Sequence, residues 1–415
     1  MAHTRTWFPT ILLAVVSGFG CTGTDPAVGA GGSAGIGGAG GAAATGGSAN
    51  LGGSGLAGSG VGGNSTSGGA SESGLWSMGY YANWYASQYP VSAIEWSGMT
   101  HVAMAFYTPQ SNGSLTLSSG DAQLARELVT AAHAHGVKAI ASLGGADSES
   151  AFRAATANGT IDQFVTSIVA LMSDPGYDGV DVDWEPLAKA DEPIAIDLAN
   201  RIRTKKSTAI LTIPVGYINV NLGADLANYP AIAAAYDQVN FMTYGMAGAY
   251  SGWKSWHSSA LYQQDSATPT SIDSSVKLYL AAGVPKNKLG IGIGFYGLCY
   301  SPPVTAPDQA LNGSTLVASD GAISYANIMA NYYSASAYHW DSAASASYLS
   351  FSSAHAPDGC TFISYDDEAS IAAKAAYAKS NGLGGVIEWE INEGYVSSGT
   401  PKNPLLTAIA SSVLH

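Results

Sequence analysis

From Leu75 onward, short apolar runs alternate with stretches whose apolar positions recur every three or four residues. The runs are SMGYYA (77–82), THVAMAFY (100–107), VKAIASL (137–143), DGVDVDW (178–184), TAILTIP (208–214), DQVNFMTY (237–244), LGIGIGF (289–295) and GGVIEWE (384–390). Each has strand length and is bounded by turn-forming residues. Between them, DAQLARELVTAAHAHG (121–136) places Leu124, Leu128, Ala131 and Ala132 at helical spacing, with Gly136 where a helix stops. TIDQFVTSIVALMSDPG (160–176) carries a stripe of Ile161, Phe164, Val165, Ile168, Val169 and Met172, and 271–283 and 370–382 are further helical patterns that end in glycine. Parallel neighbours need crossover connections, so eight strands alternating with helices predict a parallel sheet. Eight such units in about 340 residues suit an α/β fold of the (β/α)8 TIM-barrel type. A doubly wound open sheet is the alternative, but no glycine-rich phosphate loop follows the first strand. The alternation breaks between 298 and 362, which reads as a small lobe inserted after strand seven.

The first 74 residues have a different character. Residues 1–21 place a lone Arg5 before an apolar stretch from Trp7 to Val16 and end in small residues at Cys21. That layout predicts a secretory signal, and Cys21 after Gly20 predicts lipidation of the bacterial lipoprotein kind. Gly18 departs from the leucine usual three places before such a cysteine. Residues 22–74 contain no aromatic residue and no periodicity, as expected of a flexible Gly/Ala/Ser-rich tether. The expected organisation is therefore an exported chain, either anchored at the cell surface (outer membrane) or secreted, with a catalytic domain at 75–415. Export favours a disulfide between the remaining cysteines, Cys299 and Cys360; two free buried thiols are the alternative.

Composition narrows the partners. The chain has 415 residues, 47% apolar and only 11% charged, with a formal charge of −14. With 16 Lys and Arg against 30 Asp and Glu, it lacks the electrostatic footprint of a nucleic-acid binder. Binding to an anionic membrane is equally unsupported, which leaves a possible lipid anchor as the membrane contact. A neutral or cationic partner fits, neutral sugars included, and a monomer is expected.

The segment YDGVDVDWEP (177–186) sets Asp178, Asp181, Asp183 and Glu185 into an apolar run. Side chains alternate along a strand, so Asp181, Asp183 and Glu185 share one face and Val180, Val182 and Trp184 the other. Adjacent acids then stand about 6.6 Å apart, from a rise of about 3.3 Å per residue. Acids that close in a partly dry site cannot all ionise at their ordinary pKa, so one is held protonated. Glu185, at the strand's C-terminal end, lies where barrel enzymes place catalytic groups and suits a general acid. A buried acid cluster tied up by backbone donors or by a bound cation is the competing reading. Three acids on one strand face cannot surround a metal, so neither metal nor cofactor is expected.

DGVDVDWE resembles the DxxDxDxE signature of family 18 glycoside hydrolases, the chitinase family, at every position. MGYYANW (78–84), SLGG (142–145), NFMTYGM (240–246) and GLGGVIEWE (382–390) are similar to that family's first, third, sixth and eighth strands. YHWDSAASASYLS and FISYDD resemble its inserted α+β lobe. The resemblance implies a retaining, substrate-assisted hydrolysis of β-1,4-linked N-acetylglucosamine polymers such as chitin. Glu185 would be general acid and then base, and Asp183 would orient the substrate's acetamido group. Asp181 would share a proton with Asp183, and Tyr244 would donate to the acetamido carbonyl. Asp178 would anchor the strand end, with Ser142, Gly144 and Gly145 as the accompanying motif. Tyr80, Phe106, Met242 and Trp389 would line the sugar at the cleaved bond, although each could instead be barrel core. Trp253 and Trp256 are candidates for a sugar-stacking platform, with plain burial as the alternative.

Two departures stand out. Gly245 occupies the place of the aspartate in the family's MxYD pattern, and IPVGY (213–217) replaces an Ala-Pro pair. They leave an endo-β-N-acetylglucosaminidase or a peptidoglycan-directed hydrolase of the same family open. A catalytically inactive chitin-binding lectin would lack an acid at position 185, which this chain has.

Overall fold

The apolar alternation resolves into a closed barrel. The structure, a computed structural model, describes residues 74–415; the leader with Cys21 and the segment at 22–74, apart from Gly74, lie outside the described residues. In chain order the strands are β1 (Trp76–Ala82), β2 (His101–Pro109), β3 (Leu115–Leu117), β4 (Lys138–Gly145), β5 (Gly179–Trp184), β6 (Ile210–Gly216), β7 (Gln238–Met242) and β8 (Leu289–Gly294). Five more follow, β9 (Tyr296–Tyr300), β10 (Leu316–Ser324), β11 (Tyr338–Asp341), β12 (Ala346–His355) and β13 (Cys360–Tyr365), before β14 (Gly385–Trp389). Parallel pairing runs through β1, β2, β4, β5, β6, β7, β8 and β14 and returns to β1. The expected (β/α)8 barrel is therefore borne out. The short β3 pairs antiparallel with β2.

The helices are α1 (Ala122–Ala134), α2 (Glu149–Ala155), α3 (Ile161–Leu171), α4 (Glu192–Lys205), α5 (Tyr229–Ala235), α6 (Ile272–Ala281), α7 (Tyr325–Asn331), α8 (Glu368–Asn381) and α9 (Pro404–Ile409). Their starts are chemically marked. Asp121 caps α1 by accepting from the amides of Gln123 and Leu124, and Asp367 and Ser370 form a reciprocal capping box on α8. Outward-facing strand residues pack on these helices. Trp184 of β5, for example, stacks on Phe152 of α2 with ring centres 4.7 Å apart. Met78, Tyr80, Ala103, Ala105, Ile140 and Ile387 fill the barrel interior. No helix among the described residues is long and apolar enough to cross a membrane.

The inserted lobe is an antiparallel sheet in the order β10, β9, β13, β12, β11. It spans Tyr296 to Tyr365, a little wider than the 298–362 expected, because the pairing of β9 with β13 continues to Tyr365 opposite Gly297. Its first and last strands are neighbours, so the chain leaves and re-enters the barrel side by side. Cys299 of β9 and Cys360 of β13 are joined by a disulfide, with Cα atoms 5.3 Å apart.

A buried ion pair fixes this junction. Lys374 of α8 reaches both oxygens of Asp366 at 2.6 Å, and Ser259 Oγ at 2.6 Å. Asp366 also accepts from the Gly294 amide at the end of β8. Breaking such a pair strands a charge in a dry site, at a cost of about 3–5 kcal/mol. Lys374→Met should therefore lower stability by about that amount, and Lys374→Met/Asp366→Asn should recover more than half of it. Urea unfolding midpoints would decide; a double variant as unstable as the single one would refute the pairing as the unit of stability.

Candidate active site

Strand register places the acids. Asp181 lies level with Ser142 on β4 and with Thr212 on β6. Both hydroxyls reach it. Ser142 Oγ donates to Oδ2 at 2.8 Å and Thr212 Oγ1 to Oδ1 at 2.5 Å. The Tyr80 hydroxyl, from β1, adds a third bond to Oδ2 at 3.0 Å. Burial still raises Asp181 from the ordinary carboxylate range to about 6, against the pull of these three donors.

Asp183, one pleat further up, is level with Gly144. Gly144 and Gly145 have φ of 103° and 91°, a region L side chains rarely adopt. A β carbon on Gly144 would meet the Asp183 carbonyl at 2.3 Å, and one on Gly145 would strike the Phe106 ring at 2.7 Å. The paired glycines of SLGG thus let the acid-bearing strand and the Phe106 ring approach.

Glu185, just past the strand end, is half-buried and hydrogen-bonded to the Asp183 side chain. Burial, then the Glu185 and Asp181 charges, push Asp183 well above its ordinary range. Burial raises Glu185 to about 7, although its bond to Asp183 opposes this. The raised pair Asp183 and Glu185 favours holding a proton between the two carboxyls, while Asp181 is held by three hydroxyls. The backbone beneath is also pinned: Ser148 Oγ donates to the Asp183 carbonyl at 3.1 Å and accepts from the Glu185 amide at 3.0 Å.

Aromatic rings complete the mouth. Trp389 packs 5.6 Å from Phe106, nearly parallel to it, and 5.5 Å from Tyr80. Tyr244 packs against both the barrel interior and the lobe junction, and its ring lies edge-on to Tyr296 at 6.1 Å. Burial first, and nearby acids among the further causes, keep Tyr80 and Tyr244 well above the usual phenol value, so both remain O–H donors. Met242 ends β7, half-buried, two residues before Tyr244.

Asp178 sits apart, at the opposite end of β5. It accepts from the Ala139 amide, His133 and Lys138 at 2.8–3.0 Å. Burial opposes ionisation there, yet these bonds hold its pKa below the ordinary value. Trp256 is buried, its indole donating to the Thr270 carbonyl at 3.0 Å, so the expected platform of Trp253 and Trp256 does not form. Trp253 packs edge-on to Tyr250 instead. Sequence reasoning missed Trp84, which is 38% exposed, stacks on Phe106 at 6.0 Å and lies 6.4 Å from Trp389. Its signal was an aromatic directly after the first strand. Thr212, Tyr296 and Ser148 were also missed, since nothing local marks them.

Gly245 has φ of 60°, and a β carbon there would stand 3.0 Å from the Tyr296 hydroxyl. Tyr296 thus occupies the space a side chain at 245 would enter.

The comparisons agree with this geometry. The family model described as glycosyl hydrolases family 18 matches residues 77–394. Chitinase A1 of Niallia circulans is 31% identical over 291 residues, covering 62% of this chain and 40% of that protein. Chitinase 1 of Aphanocladium album is 27% identical over 352 residues, covering 75% and 80%. The crystal structure of Ostrinia furnacalis Group IV chitinase superposes with a TM-score of 0.69 at 21% identity, covering 82% of this chain and all of that one.

Two outcomes follow from the site. A carboxyl whose native pKa lies above its unfolded value favours folding at low pH and loses that contribution as pH rises through the native value. Stability should therefore fall between pH 4.5 and 8, as Asp181, Glu185 and the buried Glu388, raised to about 8 by burial, pass their native values of about 6, 7 and 8. Glu185→Gln should add on the order of 1–3 kcal/mol at pH 8 and little at pH 4, read by denaturant titration. Identical pH profiles for both proteins would refute the burial argument. Separately, Gly245→Asp should cost about 1–2 kcal/mol from its left-handed backbone, and Tyr296→Phe in that background should relieve the added crowding. A neutral Gly245→Asp change in the same assay would contradict it.

Proposed function

The chain belongs to glycosyl hydrolases family 18 and is a glycoside hydrolase, and from that premise we propose that it is a chitinase working by substrate assistance. One observation carries the reading: Asp183 and Glu185 form a hydrogen-bonded pair that holds a proton beside the Trp389–Phe106 floor. A retaining glycosidase that supplies its own nucleophile needs a second, ionised carboxylate near the sugar. Asp183 is pushed toward its neutral form, which suits it to orient an amide rather than attack carbon. The nucleophile in this reading is the acetamido oxygen of the N-acetylglucosamine unit.

The sugar rests on Trp389, against Phe106 and Tyr80. Glu185 takes up the proton of the Asp183–Glu185 pair and gives it to the glycosidic oxygen as the acetamido oxygen closes on the anomeric carbon, forming an oxazolinium ion, releasing the alcohol and leaving Asp183 ionised. Asp183 accepts from the acetamido N–H as positive charge develops, and Tyr244 O–H donates to the carbonyl oxygen. Asp181, held by Tyr80, Ser142 and Thr212, keeps negative charge beneath the pair. Water then adds at the anomeric carbon, Glu185 takes its proton, and the configuration is retained.

Gly245 favours a second reading, a family member directed at glycoprotein glycans or peptidoglycan, which product analysis on the three polymers separates. We also propose export, with anchoring through Cys21. The leader pattern supports it, and the Cys299–Cys360 disulfide suits an oxidising compartment.

The test is release of a fluorogenic group from a chitobioside by residues 75–415. Glu185→Gln should lose about 10²–10⁴ in kcat, the usual worth of a general acid. The parent's rate should decline above an apparent pKa near 7 as Glu185 loses its proton. A loss below tenfold would exclude Glu185 as the acid.

A further inference from the structure

Four Asn-Gly pairs occur in the chain, at 112–113, 158–159, 312–313 and 381–382, and all four asparagines are exposed. Such a pair is chemically unstable where nothing restrains it. The glycine amide nitrogen can reach Cγ of the asparagine before it, and glycine has no β carbon to hinder the approach. A folded chain controls two conditions: whether that amide is already donating, and whether the asparagine side chain is already held. The four pairs divide on both.

Two pairs sit at the centre of a turn. Between α2 and α3, the Thr160 amide donates to the Ala157 carbonyl at 3.0 Å. Between β9 and β10, the Ser314 amide donates to the Leu311 carbonyl at 2.8 Å. Each bond spans an Asn-Gly pair, so the glycine amide stands inside the turn and takes no part in closing it. Gly159 and Gly313 have φ of 93° and 90°, and Asn312 has 47°, backbone that Gly and Asn adopt more readily than other residues. Nothing lies within 4 Å of where a β carbon would stand on either glycine. Among the described residues, neither glycine amide and neither asparagine side chain has a hydrogen-bond partner.

The other two pairs are tied. The Gly113 amide closes its own turn by donating to the Gln110 carbonyl at 2.9 Å. Asn112 Oδ1 accepts from the Ser114 amide at 2.9 Å and from its hydroxyl at 2.7 Å. Asn381 ends α8, and its side chain donates to the Tyr377 carbonyl at 2.9 Å. The Gly382 amide donates to the Lys379 carbonyl at 3.1 Å. Ring closure at either place must first break these bonds.

We propose that Asn158 and Asn312 are sites of spontaneous deamidation in the folded protein, and that Asn112 and Asn381 are protected. The glycine amide nitrogen gives its proton to solvent and bonds to Cγ. The bond from Cγ to the side-chain nitrogen breaks, ammonia leaves, and a five-membered succinimide closes. Water then opens either ring carbonyl, leaving aspartate or, with the backbone rerouted through Cγ, isoaspartate. One water is consumed, one ammonia is released, and nothing is oxidised. Each conversion adds a negative charge, so both together take the formal charge from −14 to −16. Just before Asn312, Asp308 is tied to the loop after β7. Its carboxylate accepts from Lys254 Nζ at 2.7 Å and its amide donates to the Ser255 carbonyl at 2.7 Å. Isoaspartate at 312 would lengthen the chain between that tie and β10.

Peptide mapping by mass spectrometry tests this on the full chain, held folded at mildly alkaline pH and sampled over time. Conversion of amide to acid shifts the peptide mass, and the aspartyl and isoaspartyl forms separate by retention. Positions 158 and 312 should convert at least about 10-fold faster than 112 and 381, the weight of the hydrogen bonds that the protected pairs must break first. In a parallel sample unfolded in urea, all four should convert at similar rates, because those bonds are gone. On isoelectric focusing, the aged parent should gain two acidic bands and Asn158→Gln only one. Comparable rates at all four positions in the folded chain would overturn the proposal. So would silence at 158 and 312 while the unfolded chain converts, or an order of rates that urea leaves unchanged, since local sequence and not the fold would then set it.

Discussion

Three carboxylates on one face of one strand, inside a barrel that excludes water, constrain much of the surrounding structure. The arrangement follows from period-two geometry and cannot be relaxed without losing the face. Charge repulsion and desolvation act together, so the neighbouring strands must answer position by position. At the level of Asp181 they supply hydroxyls, from Ser142, Thr212 and Tyr80. At the level of Asp183 they supply a glycine, Gly144, whose missing side chain lets the Asp183 backbone and Phe152 close in. The result is a gradient along β5, with charge held at depth and a proton held nearer the mouth.

That gradient needs a rigid frame. Alternate residues of β5 are apolar and buried outward, and the stack of Trp184 on Phe152 seats α2 against the strand. Ser148, just before α2, binds the backbone at both Asp183 and Glu185. The same packing that buries the apolar face therefore fixes the height of the acids. On the far side of the mouth, Lys374 and Asp366 lock the returning chain of the lobe to β8. The neutralised pair sits at the junction because a flexible join there would let Tyr296 and Trp389 drift.

Much of this was legible in the chain. The eight barrel strands carry dense apolar runs, because their outer faces are covered by helices and their inner faces fill a small core. DGVDVDWE stood out because acids disfavour strands, so their presence demanded a chemical reason. Helix α4 was harder to read: its buried Ala195, Leu198, Ala199 and Ile202 are separated by charged residues that blur the stripe. The edges of the lobe were blurred for a different reason. Antiparallel pairing such as Gly297 with Tyr365 joins positions far apart in sequence, and no local pattern encodes it. Thr212 and Tyr296 were invisible likewise, since their roles come from register and not from type. Trp256 misled because an aromatic in a loop after a barrel strand looks the same whether it faces sugar or core.

Trp389 lies between the barrel interior and the inserted lobe. Its ring lies nearly parallel to Phe106, and it packs against both the barrel-interior cluster and the cluster at the lobe. A sugar floor of this kind works by presenting a flat apolar surface at a fixed tilt, and stacking alone leaves the ring free to slide. Packing against the lobe cluster limits that freedom and makes the tilt depend on where the lobe sits. The lobe is in turn held by the disulfide between its first and last strands and by the Lys374 pair beneath it. In the proposed reading, the position of the bond to be cleaved relative to Glu185 is set as much by the insertion as by the barrel. Sequence changes confined to β10 or to the turn after β14 would then alter which sugars are cleaved, without touching the acids that cleave them.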